Sequence, residues 1–287
     1  MTEPVAPAAA VVQGDVARAL EEDLGAIDLT AQLLPAWAEA SAQIIVREAA
    51  VLCGSDWAAA AFHSLDPELQ MHWHYRDGDR LVANCCVLDL CGKVRAIVSA
   101  ERTALNFLQT LSATATVARR YADAVVGTGT RVLDTRKTLP GLRAAQKYAV
   151  RCGGCHNHRS SLGEHVLIKD NHIAAAGSLT RAVQLCRQAA PPGAKSEVEA
   201  KTMAEVKEAV RAGAGVILLD NMAPGQVASA VAIIAGAALV EVSGGVRYET
   251  LRDYAQPGVD VISIGALTHS AVAADLSLTL PVKRRRR

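Results

Sequence analysis

The sequence predicts an α/β protein with two parts, a half-exposed antiparallel sheet near the N-terminus and an incomplete or six-stranded α/β barrel after it. Three observations carry that reading. From about residue 130 onward, short β-branched runs alternate with amphipathic helical runs, which implies a parallel sheet with right-handed crossovers, and strands this short favour a barrel over an open sheet. Before that point, Met71, Trp73 and Tyr75 alternate with His72, His74 and Arg76, as on a sheet with one wet face. Cations also cluster where predicted strands end, with Arg136 and Lys137 after one and Lys169 at the next, the place where parallel α/β folds bind ligands.

Taken in order, the Ala/Pro-rich residues 1–10 have almost nothing to bury and read as a disordered lead. A helix follows over 11–24, stopped by Gly25, then a loop over 27–30. Strands are expected at 43–48, 69–75 and 80–88, with a helix at 55–65. A long helical region runs over 99–126, with Ala104, Leu105, Leu108, Leu111 and Ala115 at helical spacing. Arg102 then falls in its first turn, where a cation opposes the helix dipole and hints at a use elsewhere. The barrel strands are expected at 131–134, 165–169, 196–200, 215–220, 238–242 and 259–264, and the helices at 142–150, 179–189, 203–212, 225–234 and 248–254. Residues 267–280 are long enough for a helix returning to the first domain, and 283–287 form a basic tail that reads as a solvated terminus.

Composition excludes several classes. The 287 residues are 51% hydrophobic, enough core for one large domain or two ordinary ones. Lys plus Arg number 30 against 29 for Asp plus Glu, so nothing pulls the whole chain toward nucleic acid or a membrane surface. Seven cysteines make an odd count and the N-terminus lacks a signal peptide, so reduced thiols and a cytoplasmic location are expected. The longest uncharged stretch, 221–240, is broken by Pro224, Gly225, Gln226, Ser229 and Gly236 and does not read as a membrane span.

The local charge is more informative. Between residues 134 and 172 stand Arg136, Lys137, Arg143, Lys147, Arg151, His158, Arg159 and Lys169, a density that implies a bound anion. Arg143, Lys147 and Arg151 recur every four residues and read as the solvated face of a helix; the strand-end cations have no such explanation. Glu199 and Asp220, ending successive strands, suit ribose hydroxyls or Mg²⁺ and would stabilise an oxocarbenium-like centre, the alternative being structural carboxylates. Glu197 shares the face of Glu199 as a second-layer partner. Ser243-Gly244-Gly245 and Gly265-Ala266 follow the last two strands, where backbone N–H groups commonly hold phosphate. The ligands inferred are a phosphosugar and an acidic co-substrate. Cys152 and Cys155 have CxxC spacing, but with no second cysteine pair a zinc or redox role is disfavoured. His72 and His74 have metal-chelating types but lack a third ligand.

The motifs DTRKTLPGLR, KYAVRCGG, NHR, VLIKDNH, EVE, LLDNM, EVSGG and IGALTHS, in this order and spacing, closely resemble the quinolinate phosphoribosyltransferase family. With ERTALN and the DLT loop, the resemblance covers about 12–275. It implies an N-terminal α/β sandwich over 11–112, to which 270–287 returns, and a catalytic barrel over 113–269. It also implies a reaction of quinolinate with phosphoribosyl pyrophosphate and Mg²⁺ that releases pyrophosphate and CO₂, in a homodimer with a shared mouth. Position by position, Arg136, His158, Arg159 and Lys169 look like the quinolinate pocket, with Arg102 supplied by the other subunit. Lys137, Glu199 and Asp220 look catalytic, the two carboxylates also serving the metal, and Ser243, Gly244, Gly265 and His269 look like the 5′-phosphate cradle. Cys155, His156 and Ser161 depart from the family's loop pattern. A nicotinate phosphoribosyltransferase is the competing enzyme reading, and a metabolite- or nucleic-acid-sensing module the competing class; a monocarboxylate would need fewer pocket cations.

Overall fold

A computed structural model describes residues 4–189 and 196–280, so the expected basic tail at 283–287 lies outside the described residues. The chain forms two compact units, one drawn from Met1–Arg119, Thr138–Gly154 and Leu267–Arg287, the other from Arg120–Lys137 and Cys155–Ala266.

The first unit begins with α1 (Ala9–Leu24), after residues 4–8 that form neither helix nor strand. Then come β1 (Glu39–Val46), β2 (Ala50–Val51), α2 (Ser55–Leu65), β3 (Gln70–Trp73), β4 (Arg80–Leu81), β5 (Cys86–Lys93) and α3 (Val94–Ala124). The strand expected over 80–88 is split, because Asn84 takes a left-handed conformation with φ 66° between β4 and β5. The 99–126 helix starts earlier than expected, at Val94, directly after β5 and with no loop or capping residue to announce it. Arg102 therefore sits in the third turn, and the dipole argument for it does not hold.

In the second part of the chain follow β6 (Arg131–Leu133), α4 (Arg143–Cys152), β7 (Val166–Ile168), α5 (Asp170–Ala176), α6 (Leu179–Ala189), β8 (Ser196–Ala200) and α7 (Met203–Ala212). After these come β9 (Val216–Asp220), α8 (Pro224–Ile234), β10 (Leu239–Ser243), α9 (Leu251–Tyr254), β11 (Val261–Ser263), α10 (Ala266–His269) and β12 (Leu276–Thr279). The helix expected over 267–280 is a correction: only α10 is helical, and β12 pairs antiparallel with β1 from Gln43↔Thr279 to Val46↔Leu276. Leu276 and Leu278 alternate with Ser277 and Thr279, a strand period that length alone concealed.

The first unit's sheet has the order β12-β1-β5-β3 and is antiparallel throughout. Its core gathers Ile44, Trp57, Phe62, Leu88, Leu105 and Leu108, all nearly inaccessible, and Trp57 Nε1 donates to the buried Asp15 carboxylate at 3.1 Å. Helix α4 belongs to this unit too. Ala145 through Val150 are all buried, Lys147 among them, so the expected solvated face of Arg143, Lys147 and Arg151 is not what forms. Gly153, just past α4, permits this packing: a Cβ there would lie 2.4 Å from the Ala115 carbonyl oxygen and 2.4 Å from Ala118 Cβ on α3. Because the obstacle is backbone, Gly153→Ala should destabilise the protein by about 1–3 kcal/mol through overpacking. Chemical denaturation checks it, as a lowered midpoint with an unchanged slope.

The second unit holds six parallel strands in the order β6-β11-β10-β9-β8-β7. Sequential neighbours pair from β7 to β11 and β6 closes onto β11, the strand order of an incomplete barrel whose seam lies between β6 and β7. His156 starts to fill that seam through a parallel bridge to Leu133. Local chemistry places the crossovers: α7 opens on a capping box, with Thr202 and Glu205 bonding each other's backbone N–H, and Gly213 ends it at φ 71°. Among the described residues no helix is long and apolar enough to cross a membrane.

Candidate active site

Strand alternation decides which side chains meet inside the second unit. On β8, Glu197 and Glu199 point to one side; on β10, Glu241 and Ser243 do the same, beside Leu218 and Asp220 of β9 and Ser263 of β11. At the carboxyl ends of these strands lies a cavity of about 660 Å³. Thr135, Arg136, Lys137, His158, Arg159 and Lys169 line it, together with Glu199, Asp220, Asn221, Glu241, Ser243, Gly244, Gly245 and Ser263.

The cationic wall is built on one buried carboxylate. Asp134, fully buried after β6, accepts from Asn157 Nδ2 at 2.6 Å and from the His158 amide at 2.8 Å, which ties the loop carrying His158 and Arg159 to the strand end that leads into Arg136. Arg159 is held in turn by the His165 carbonyl, to which Nη1 donates at 2.8 Å. Burial, and then the charge of Arg136, lower the Arg159 pKa from its ordinary value, so these guanidiniums face each other in a half-buried place that an anion would relieve.

On the cavity floor, His158 Nε2 stands 3.3 Å from Glu197 and 3.5 Å from Glu241. Burial alone would lower its pKa, but hydrogen bonds and charge from Glu197 and Glu241 override this and push it up to about 9. The Arg159 amide approaches Nδ1 at 2.7 Å, a contact that the neutral ring accepts and that protonation at Nδ1 would break; two carboxylates at Nε2 outweigh one neighbouring amide. Glu197 also meets His165 at 2.8 Å and, in spite of burial, is held below the usual carboxylate range by the two histidines. Glu241 goes the other way: burial raises it, and its Oε1 accepts from Ser263 Oγ at 2.5 Å.

The opposite wall is acidic. Glu199 lies 3.6 Å from Lys169 and 3.8 Å from Lys201, which also binds Asp170 at 2.8 Å. Burial, and then the charge of Asp220, raise the Glu199 pKa while the two lysines oppose this. Two oxygen-donor carboxylates in mutual repulsion suit a hard divalent cation. The His158, Glu197 and Glu241 group lies close enough for a metal, but His165 and Ser263 already use its carboxylates.

The glycine wall is shaped by Asn221. Gly244 has φ 89°, and a Cβ there would lie 2.4 Å from Asn221 Oδ1, while the Asn221 amide donates to the Ser243 carbonyl at 2.9 Å. Only glycine lets this backbone come so close.

Of the residues expected from the sequence, Arg136, Lys137, His158, Arg159, Lys169, Glu199, Asp220, Ser243 and Gly244 line this one cavity. Gly265 follows β11 but is not among the lining residues. Arg102, exposed on α3, and His269, exposed with Nδ1 2.6 Å from Ser270 Oγ, belong to the first unit. Sequence reasoning missed Glu241, Ser263 and His165; the i, i+2 relation of Glu241 to Ser243 was the available signal. Cys155 is buried and His156 is tied into the seam by its backbone, so the unusual loop residues serve packing and sheet closure.

Residues 28–112 match the family described as quinolinate phosphoribosyl transferase, N-terminal domain, and residues 114–279 match its C-terminal domain. The chain is 39% identical to a probable nicotinate-nucleotide pyrophosphorylase (carboxylating) of Bacillus subtilis, over 90% of this chain and 89% of that one. It is 38% identical to quinolinate phosphoribosyltransferase (decarboxylating) 1b of Nicotiana tabacum, over 94% and 82%. The solved nicotinate-nucleotide pyrophosphorylase of Francisella tularensis superposes with a TM-score of 0.92 at 40% identity, covering 98% of this chain and 99% of that one.

Proposed function

Since the chain belongs to the quinolinate phosphoribosyltransferase family, we propose that it joins quinolinate to phosphoribosyl pyrophosphate, releasing pyrophosphate and CO₂ and forming nicotinate mononucleotide. The observation that carries this reading is the cavity itself, with a cationic wall of Arg136, Lys137, His158, Arg159 and Lys169 facing Glu199 and Asp220.

Quinolinate carries two carboxylates, and Arg136, His158, Arg159 and Lys169 offer them four cations. So many charges suit a dicarboxylate better than the single carboxylate of nicotinate. Held there, the ring nitrogen faces the anomeric carbon, and such positioning can supply about 7–11 kcal/mol of barrier reduction. The nitrogen–carbon bond forms as the carbon–pyrophosphate bond breaks, with Lys137 beside the departing group. Positive charge growing on the ribosyl carbon is met by Glu199 and Asp220. The adjacent carboxylate then departs as CO₂ and leaves its bonding pair on the ring carbon, where the positive charge of the neighbouring quaternised nitrogen stabilises it until that carbon takes a proton. Ser243 and Gly244, with Gly265 after the last strand, hold the 5′-phosphate. Mg²⁺ suits Glu199 and Asp220, and when bound it would neutralise pyrophosphate charge.

In the homodimer that this reading implies, the partner's α3 delivers Arg102 to the quinolinate carboxylates. Mixing Arg102→Ala chains with Glu199→Ala chains should restore part of the activity, since one mouth per heterodimer escapes both changes; proven heterodimers without recovery would argue against a shared site. We place the enzyme in the cytoplasm, where reduced thiols suit its odd cysteine count.

An end-point assay with phosphoribosyl pyrophosphate and Mg²⁺, offering quinolinate or nicotinate separately, tests the whole assignment. Mononucleotide and CO₂ are expected from quinolinate alone. Product from nicotinate alone, or from neither, would overturn it.

A further inference from the structure

The sequence leaves His72 and His74 without a third metal ligand; the fold of the first unit instead gathers Cys86 and Asp89 beside His74. In β3 and β5 the register sets His72 opposite Asp89 and Trp73 opposite Leu88. A bulge in β5 adds what strict alternation would deny: β1 pairs Ile44 with Leu88 but Ile45 with Cys86, leaving Val87 as the extra residue. Cys86 is thereby turned to the Asp89 side, its Sγ 3.8 Å from Asp89 Oδ1. His74 Nε2 lies 2.6 Å from Asp89 Oδ2, and the His72 ring stands edge-on to His74 with centroids 4.8 Å apart.

We propose that His74, Cys86 and Asp89 form a binding site for a borderline-soft divalent cation of the zinc class on this sheet face. The ligand atoms of the three residues all lie within 4.8 Å of one another. Tetrahedral zinc holds N, O and S ligands roughly 3.3–3.8 Å apart, so the Cys86–Asp89 separation already fits; the His74–Asp89 hydrogen bond has to open, and Asp89 Oδ1 also carries a hydrogen bond from Gln43 Nε2 at 2.8 Å. Donor chemistry sets the class, since thiolate and imidazole favour zinc, cobalt or copper over magnesium. Access is open as well: the side chains of His74 and Asp89 are 36% and 42% exposed, and Asp89 and His72 line a surface groove. The buried Cys53, Asp77 and Cys152 group also has ligand types, but Asp77 is spent on the Gly54 and Ser55 amides and both thiols are sealed from solvent.

This site is independent of the cavity in the second unit, and the test keeps them apart. The full-length, reduced, metal-stripped protein is titrated with Co²⁺. One equivalent should bind with a thiolate-to-cobalt charge-transfer band. Cys86→Ser should abolish the band and His74→Ala should weaken binding at least ~10-fold, whereas Cys186→Ser should change nothing. Zn²⁺ should raise the melting temperature of the parent protein but not of Asp89→Asn, a readout that survives if Cys86→Ser fails to fold. Quinolinate turnover with Mg²⁺ should persist in His74→Ala. Cobalt binding without a thiolate band, a band that survives Cys86→Ser, or a zinc-induced shift retained by Asp89→Asn would overturn the proposal.

Discussion

Replacing Lys169 by alanine is expected to lower quinolinate turnover by about 10²–10³-fold, the usual cost of removing one preorganised electrostatic contact. The lysine ends β7 with its ammonium 3.6 Å from Glu199, on the border between the cationic and acidic walls. It acts in two ways there. In the proposed reaction it would give quinolinate one of four cations, and it counters the burial and Asp220 charge that raise Glu199 toward its neutral form. Lys169→Ala should therefore lower kcat as well as raise KM for quinolinate, because the carboxylate facing the ribosyl carbon is weakened together with the pocket. Steady-state kinetics with both substrates varied checks this. A loss below about threefold would remove Lys169 from the site.

Quinolinate affinity is expected to fall as pH rises through about 9, where His158 loses its charge. The sign follows from the direction of the shift. A histidine raised above its ordinary value stays cationic through neutrality, so its attraction for a carboxylate is complete well below pH 9 and lost above it. Glu197→Gln removes a carboxylate whose hydrogen bond is the largest single upward influence and leaves burial, which lowers the pKa, less opposed. In that variant the fall in affinity should move down toward the ordinary histidine range near ~6.5. Glu241→Gln should move it less, since burial already favours the neutral form of that carboxylate. Isothermal titration with the three proteins across roughly pH 5 to 10, a span that holds both the ordinary histidine range and the raised value, reads the shift. A profile unmoved by either change would separate His158 from the substrate.

Much of this site could be read from residue types alone. Lys137, Lys169, Glu199, Asp220 and Gly244 stand where hydrophobic strand runs stop, and in a parallel barrel every such stop faces the same mouth. Glu241 escaped notice because it lies one turn of the pleat deeper than Ser243, inside the strand, where a charge is not expected without a partner. Its partners, His158 and Ser263, arrive from 83 residues earlier and 22 residues later.

The sequence by itself determined the class of fold, the alternation of the second unit and the identity of the cationic and acidic walls, because hydrophobic period and strand-end chemistry are local properties. Tertiary structure alone decided the rest. It buried the basic helix α4 that its own period described as wet, drew the last strand out of a presumed helix to pair with β1, and raised His158 by placing two carboxylates beside it. It also turned Cys86 toward His74 and Asp89 through a single extra residue in β5. Burial, register and the field of distant charges depend on which segments meet, and no window along the chain contains that information.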